Sequence, residues 1–291
     1  MTTSVAFIGL GVMGYPMAGH LQNAGYDVCV FNRTTAKALK WQEEYAGRVA
    51  KTPGEAANGA DVVFVCVGND DDVRSVVYGD TGVLNGMAAD SILVDHTTAS
   101  AELARELADA AAEHKIAFLD APVSGGQAGA ENGQLTIMVG GESNDLLQVS
   151  AMLDTYAKHV GLQGPVGSGQ LAKMVNQICI AGVVQGLAEG LQFAKNAGLD
   201  QEKLVAAISQ GSAGSWQMEN RSKTMWAGEF EFGFAVDWMR KDLNIALQEA
   251  HKNGSSLPVT ALIDQFYADV QQNGGSRFDT SSLITRFSKK L

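Results

Sequence analysis

Two hydrophobic rhythms divide the chain. In the first half, short apolar runs rich in β-branched residues alternate with helical patterns. Val5-Ala-Phe-Ile-Gly9, Tyr26–Phe31, Asp61–Val67, Ser91–Asp95 and Ile116–Asp120 read as strands. Between them, apolar positions recur at helical spacing. The first such stretch runs from Met13 to Ala24, where Gly25 stops it. The next follows Thr34, the expected N-cap, through Ala38, Leu39 and Trp41. Strands separated by helices make βαβ units, which predict an α/β domain with a doubly wound parallel sheet.

Near Gly164-Pro165 the rhythm changes. From Gln170 onward nearly everything has helical period: an unbroken segment to about Asn196, then Gln201–Gln210, Val236–Asn253 and Val259–Asn273. At 1.5 Å per residue the first of these is roughly 40 Å long, enough to cross a small domain. The expected organisation is an α/β domain over residues 1–164 and an all-α C-terminal domain over residues 165–291, joined by this long helix. The helix is apolar almost all the way round, which predicts that it is buried.

Composition narrows the class. The 291 residues are 46% hydrophobic and 18% charged, an ordinary globular balance that suits about two domains and a sizeable core. A formal net charge of -11 repels phosphate backbones and argues against nucleic acid as a partner. Any anionic ligand must then be held by local donors. Cys29, Cys66 and Cys179 lie far apart, each in an apolar run, and read as buried structural thiols. They suggest neither a disulfide framework nor a zinc site, and no metal is expected. The N-terminus enters a strand-like run with no basic leader region. No apolar stretch reaches about 18 residues without polar interruption, so a membrane span is not expected and a reducing cytoplasm is.

Gly9-Leu10-Gly11-Val12-Met13-Gly14 is a G-x-G-x-x-G loop between the first strand and the first helix. Gly9 permits the tight turn, Gly11 lets a pyrophosphate approach the backbone, and Gly14 allows close helix–strand packing. The loop alone is weak evidence of function. With the strand, the helix and the second strand in place it predicts a Rossmann domain that binds NAD(P). An acidic residue ending the second strand would bond a ribose 2′-hydroxyl and select NAD. Here the chain reads Asn32-Arg33-Thr34, with Lys37 close behind, and Arg33 suits a 2′-phosphate, so NADP is favoured over NAD. The alternative is a solvated turn with an N-cap and relaxed cofactor choice. Val67, Gly68, Asp72 and Thr98 are expected to line the same crevice, although Thr98 serves equally as the N-cap of the following Ala-rich helix.

Two further segments point to chemistry. Asp120-Ala-Pro-Val-Ser124-Gly125-Gly126 ends a strand in a loop of small residues, which offers a hydroxyl and backbone N–H groups to a carboxylate. It also reads as an ordinary Gly-rich turn. At the start of the long helix, Lys173, Asn176 and Gln177 stand at i, i+3 and i+4 and share a face. A lysine on a buried helix needs a partner or a task. A structural ion pair is one reading; a proton donor to a carbonyl oxygen is the sharper one, with Asn176, assisted by Gln177, orienting the substrate.

Phe7–Gly14, Asp120–Gly126, Gly167-Ser-Gly-Gln-Leu-Ala-Lys173-Met-Val-Asn176 and Lys241-Asp242-Leu243, in this order, resemble the β-hydroxyacid dehydrogenase family, which includes 3-hydroxyisobutyrate dehydrogenases and tartronate semialdehyde reductases. The resemblance implies a Rossmann domain, an interdomain helix and a helical domain, assembled as a homodimer or homotetramer. It also implies that Lys173 is the catalytic acid/base, that Asn176 assists, and that Ser124, Gly125 and Gly126 hold the carboxylate of a small hydroxy acid or aldehyde. Lys241 would approach the cofactor and Asp242 would help close the site. Gln177 stands where some members have a second Asn, and His96 is atypical of the family's strand-end loop. Trp216 and Met239 are candidates for substrate side-chain selectivity, with core or dimer packing as the competing role. An NADPH-dependent imine reductase is an alternative that Lys173 opposes, since those enzymes typically lack this lysine. A catalytically silent dinucleotide-binding module would not need Ser124, Lys173 and Asn176 together.

Overall fold

A computed structural model describes residues 3–287. The chain forms two compact units that divide between Lys173 and Met174, inside the long helix. The first unit runs β1 (Ser4–Ile8), α1 (Gly14–Asn23), β2 (Asp27–Phe31), α2 (Thr35–Tyr45), β3 (Arg48–Val49), α3 (Pro53–Ala57), β4 (Val62–Val65), α4 (Asp70–Val77), α5 (Val83–Gly86) and β5 (Ile92–Asp95). It continues with α6 (Ala101–Glu113), β6 (Ala117–Asp120), β7 (Val123–Ser124), α7 (Gly126–Glu131), β8 (Leu135–Gly140), α8 (Ser143–Leu153) and β9 (Ala157–Gly164).

The sheet order is β3-β2-β1-β4-β5-β6-β8-β7, with β9 on β8. The step from β1 to β4 reverses the direction of winding and creates the crevice at the strands' carboxyl ends where ligands of such sheets bind. Alternation along each strand explains the two covered faces. Val5 and Phe7 of β1 join Val28, Val30, Val62 and Phe64 in one core. Ala6 and Ile8 point the other way, into a second core with Cys29, Val63 and Val65.

The sheet is mostly parallel, which departs from the purely parallel expectation at one side. β8 runs antiparallel to β6 and β7. The short β3 and the β8–β9 pair were not visible in the apolar pattern. β9 lies at an edge and has no buried residue, so it has no continuous hydrophobic run to reveal it.

The second unit is helical: the remainder of α9 (Ser168–Asn196), then α10 (Gln201–Ile208), α11 (Trp216–Ala227), α12 (Val236–Asn253), α13 (Pro258–Gln272) and a 3-10 segment at Thr280–Phe287. Its core gathers Ala181, Val184, Ala188 and Leu191 of α9 against Met239 and Leu243 of α12 and Ile263 and Tyr267 of α13. The expectation of a fully buried α9 is corrected here. Val175, Cys179, Val183 and Phe193 are exposed, so the helix has one apolar face in the core and another outside it. By length and composition alone this helix would be long enough to cross a membrane, but its buried residues build the second core. The thiols are likewise not all buried: Cys29 is, Cys66 is partly covered, and Cys179 is exposed.

Candidate active site

The chain turns at the end of β1 on Gly9, whose φ is +102° and whose Cβ would overlap the Cys66 carbonyl. Only glycine fits there. Gly14 opens α1 against the Gly9 carbonyl, again with no room for a side chain. Gly11 differs. It is exposed, and a Cβ there would meet nothing within 4 Å. The fold does not require glycine at that position, and the open backbone leaves room for a ligand to lie against it. Val12 is exposed beside it and Met13 half-buried. Open backbone at the start of α1 fits the pyrophosphate of a dinucleotide.

The second strand's end is fastened to this loop. Leu10 N–H donates to Asn32 Oδ1 at 2.9 Å, and Asn32 Nδ2 donates to the Thr34 carbonyl at 3.0 Å. Thr34 takes the N-cap position of α2, yet its side chain makes no capping bond. Arg33 is 86% exposed and pairs with Asp72, in the first turn of α4, at 3.2 Å. A pair this open to water is weak, so it leaves the guanidinium accessible to a competing anion. Lys37 is exposed on α2. Beyond β4, Val67 N–H donates to Thr97 Oγ1 at 3.1 Å, and Gly68 follows half-buried. Thr98 is not the N-cap of the next helix. Ser100 is: its Oγ accepts from Leu103 N–H at 3.0 Å, two residues later in the chain than the pattern suggested.

His96 and its neighbours form a buried polar node beneath these loops. Its Nδ1 lies 2.6 Å from the Ala121 carbonyl, which can only accept, so Nδ1 carries the proton. Nε2 then accepts from the Tyr156 hydroxyl at 2.9 Å. The ring stacks on Phe64. Burial disfavours its charged form and lowers its pKa to about 4, despite the Ala121 bond. Asp95, next door, is pushed up to about 7 by burial, against the opposing bonds from Thr97. His96 thus ties the β5 end to Ala121, where the Ser124 loop begins.

In that loop, Ser124 ends β7, and Gly125 and Gly126, with φ of +134° and +63°, turn the backbone into α7. Ser124 and Gly126 are half-buried, Gly125 is exposed, and a Cβ at Gly126 would meet nothing within 4 Å. The hydroxyl and this backbone can therefore be reached by a small anion.

Lys173 is buried at 6% exposure in the second turn of α9. The first turn of that helix is held by residues the motifs did not single out for a role. Asp120 Oδ1 accepts from Gly167 N–H at 2.7 Å and Oδ2 from Gln170 N–H at 2.8 Å. Gln170 Oε1 accepts from Ala99 N–H at 3.0 Å, and its Nε2 donates to the Thr97 carbonyl at 2.7 Å. The sequence signal for this arrangement was present: an Asp closing a buried apolar strand, and a Gln in the first turn of an apolar helix.

Within the second unit, the same helix continues through Asn176 and Gln177. Asn176 Nδ2 donates to Gln177 Oε1 at 2.8 Å, and Gln177 Nε2 donates to Asp242 Oδ2 at 2.6 Å. Gln177 Nε2 also lies 3.8 Å from Met239 Sδ. Lys241 Nζ stands 3.1 Å from Asp242 Oδ1, at ion-pair distance though not aligned as a hydrogen bond. So Asn176, Gln177, Met239, Lys241 and Asp242 gather as one group. Met239 is fully buried in the helical core. Trp216 is 54% exposed at the start of α11, with Arg221 stacked over its ring. Among the described residues no cluster of His, Cys, Asp and Glu is suited to a metal ion.

A dinucleotide loop on a doubly wound sheet, followed by a helix with a buried lysine, defines an NAD(P)-dependent oxidoreductase. Comparison with known proteins agrees. Residues 4–164 match the NAD-binding domain of 6-phosphogluconate dehydrogenase, and residues 167–287 match the NAD-binding domain of NADP-dependent 3-hydroxyisobutyrate dehydrogenase. An uncharacterized oxidoreductase of Shewanella frigidimarina is 64% identical over 98% of both chains. The 2-hydroxy-3-oxopropionate reductase of Escherichia coli is 34% identical over 96% of this chain and 95% of its own. The structure of the Mycobacterium tuberculosis 3-hydroxyisobutyrate dehydrogenase with L-serine superimposes with a TM-score of 0.88 at 30% identity, covering 98% of this chain and 99% of that one. The chain belongs to the 3-hydroxyisobutyrate dehydrogenase family of NAD(P)-dependent hydroxyacid dehydrogenases.

Proposed function

We propose that this enzyme interconverts a small β-hydroxy acid and its semialdehyde, with Lys173 as general acid/base and NADP preferred over NAD. The observation that carries the reading is Lys173 itself. It is buried in the second turn of a helix tied to the ends of the Rossmann strands, and a lysine in surroundings of this kind serves well as an acid–base group. In the reductive direction Lys173 gives its proton to the carbonyl oxygen; in the oxidative direction it takes the hydroxyl proton. The nicotinamide, when bound, supplies or accepts the hydride. Asn176, one turn along the helix, orients the reacting group, and Gln177 and Asp242 hold Asn176 in place.

Ser124 and the backbone at Gly125 and Gly126 bind the carboxylate. This gives the anion local donors that an acidic protein otherwise lacks. Trp216 is the proposed selectivity residue, while buried Met239 acts through Gln177. NADP preference rests on the neutral Asn32 and the exposed Arg33, and it favours reduction as the working direction. Relatives named for a 3-hydroxyisobutyrate and for a 2-hydroxy-3-oxopropionate activity support the substrate class. Assembly as a homodimer or homotetramer in the cytoplasm completes the proposal, and the exposed apolar face of α9 is the surface offered for assembly.

The test is a set of initial rates on 3-hydroxyisobutyrate, 3-hydroxypropionate, 4-hydroxybutyrate, serine, glycerate and glyoxylate, each with NADP(H) and NAD(H). One of the β-hydroxy acids, 3-hydroxyisobutyrate, 3-hydroxypropionate, serine or glycerate, standing at least about tenfold above the rest, a gap within reach of one methylene, agrees with the reading; 4-hydroxybutyrate or glyoxylate in that place contradicts the β-hydroxy assignment. Turnover on none, with cofactor still bound, removes it.

A further inference from the structure

We propose that Asp120, Gln170 and Thr97 form a positioning clasp that fixes the start of α9 to the ends of β5 and β6 and so holds Lys173 at the reacting carbonyl. The inference rests on the reading of Lys173 as acid/base and extends it to residues that touch neither substrate nor cofactor.

The first turn of any helix carries N–H groups without partners inside the helix. At the start of α9, two of them, on Gly167 just before the helix and on Gln170 in its first turn, are satisfied from outside. The Asp120 carboxylate spans Gly167 N–H at 2.7 Å and Gln170 N–H at 2.8 Å, a two-oxygen grip delivered from the end of a different element, β6. A carboxylate at this end of a helix is also favoured by the macrodipole. Asp120 is fully buried, so the grip is shielded from water and salt.

Two glycines let the parts close. A Cβ at Gly140 would overlap the Asp120 carboxylate. A Cβ at Gly169 would stand 2.5 Å from the Met138 carbonyl and 2.7 Å from that of Asp120. The helix therefore lies directly on the β6 and β8 backbone, and Lys173 follows Gly169 by one turn.

Gln170 supplies the second hold. Its amide reads both polarities of the β5–α6 loop, donating to the Thr97 carbonyl at 2.7 Å and accepting from Ala99 N–H at 3.0 Å. Thr97 in turn is anchored by Asp95, which accepts its N–H at 2.9 Å. Thr97 Oγ1 accepts from Val67 N–H at 3.1 Å, in the loop expected to line the cofactor crevice. A continuous chain of hydrogen bonds thus runs from the cofactor side of the sheet, through Thr97 and Gln170, to the helix that carries the lysine. Every member is buried or half-buried, and all lie in the first unit.

The clasp makes a specific kinetic expectation, because displacing a catalytic group by about 1 Å can cost about 10²-fold in rate. In the full-length enzyme, Asp120→Asn keeps one acceptor and turns an amide against the other N–H. Gln170→Met keeps the side-chain length and loses both loop bonds. Each is measured beside Lys173→Ala for kcat, KM, cofactor Kd by nicotinamide fluorescence, and the isotope effect with deuterated nicotinamide. We expect kcat to fall by about tenfold or more in both variants, with KM and cofactor Kd within about threefold and a larger isotope effect. Near-normal kcat in Gln170→Met, or in a folded Asp120→Asn, while Lys173→Ala is inactive, overturns the clasp and leaves the lysine reading standing. Loss of cofactor affinity in proportion to kcat also overturns it, because the network would then be merely structural. If Asp120→Asn does not fold, Gln170→Met alone decides. Near-normal turnover in Lys173→Ala removes the lysine reading, and the clasp falls with it.

Discussion

At the scale of single residues, the cofactor end turns on what each side chain is already doing. Asn32 is occupied at both ends of its amide, holding Leu10 and Thr34. It shapes the loop and adds no negative charge. Arg33 faces solvent and pairs with Asp72. Arg33→Ala is therefore expected to raise the Kd for NADPH by about tenfold, the order of one charge-assisted contact, while NADH is little affected. Titration of both reduced cofactors by fluorescence checks this, and equal losses in the two would remove the 2′-phosphate role. At the substrate end, Ser124→Ala takes away one hydroxyl donor and is expected to raise KM for the acid several-fold with kcat less affected. An unchanged KM would move the carboxylate elsewhere. Gly9 and Gly14 were legible at this scale because backbone geometry demands them. For Asp120 the sequence showed only an Asp closing an apolar strand; its partners lie 47 and 50 residues away, so no local spacing announced its grip on α9.

At the scale of elements, the strands of the parallel half and the long helices were readable within a few residues, since two-residue and helical periods are strong in buried segments. The reading weakened where burial is one-sided or absent. β9 is an edge strand with no buried residue, and α11 is polar over much of its length, so neither advertised itself. Thr98 and Ser100 both suit an N-cap, and only the turn of the chain after β5 decides for Ser100.

The β5 end also carries a pH dependence with two opposed parts. In the fold, His96 resists its proton down to about 4, against an ordinary 6.5 in the unfolded chain. Acidification through that window therefore favours unfolding. Asp95 keeps its proton up to about 7, against an ordinary 3.8. Its contribution is full below the ordinary value and is lost as pH rises toward 7, so acidification favours the fold. Between about 4 and 6.5 each gives a slope of about one proton, about 1.4 kcal/mol per pH unit, with opposite signs. They largely cancel in the wild type. Asp95→Asn removes one of them. Its stability relative to wild type is expected to fall steadily as pH drops through this window, by urea unfolding at several pH values. Parallel stability curves would show that the Asp95 shift does not operate as described.

At the scale of the whole molecule, the acidic surface and the exposed face of α9 matter most. Val175, Cys179, Val183 and Phe193 stand exposed along one side of that helix, interleaved with Gly182, Gly186 and Gly190, around which a Cβ would meet nothing within 4 Å. Such a contiguous apolar face suits association with another surface. Val183→Asp is expected to lower the mass seen by light scattering from a multiple of the chain toward 30.7 kDa. A monomeric wild type would refute assembly through this face. Sequence pattern alone did not show the exposed side, because a helix apolar all round looks the same whether its second face is covered by its own chain or by another.

The central claim is that Lys173 moves the proton as hydride moves. Stopped-flow observation of nicotinamide oxidation in a single turnover, with the preferred aldehyde, tests it most directly by comparing wild type with Lys173→Ala. The account expects hydride transfer slowed by about 10²-fold or more, with cofactor binding unchanged. Transfer within a few-fold of wild type would contradict it.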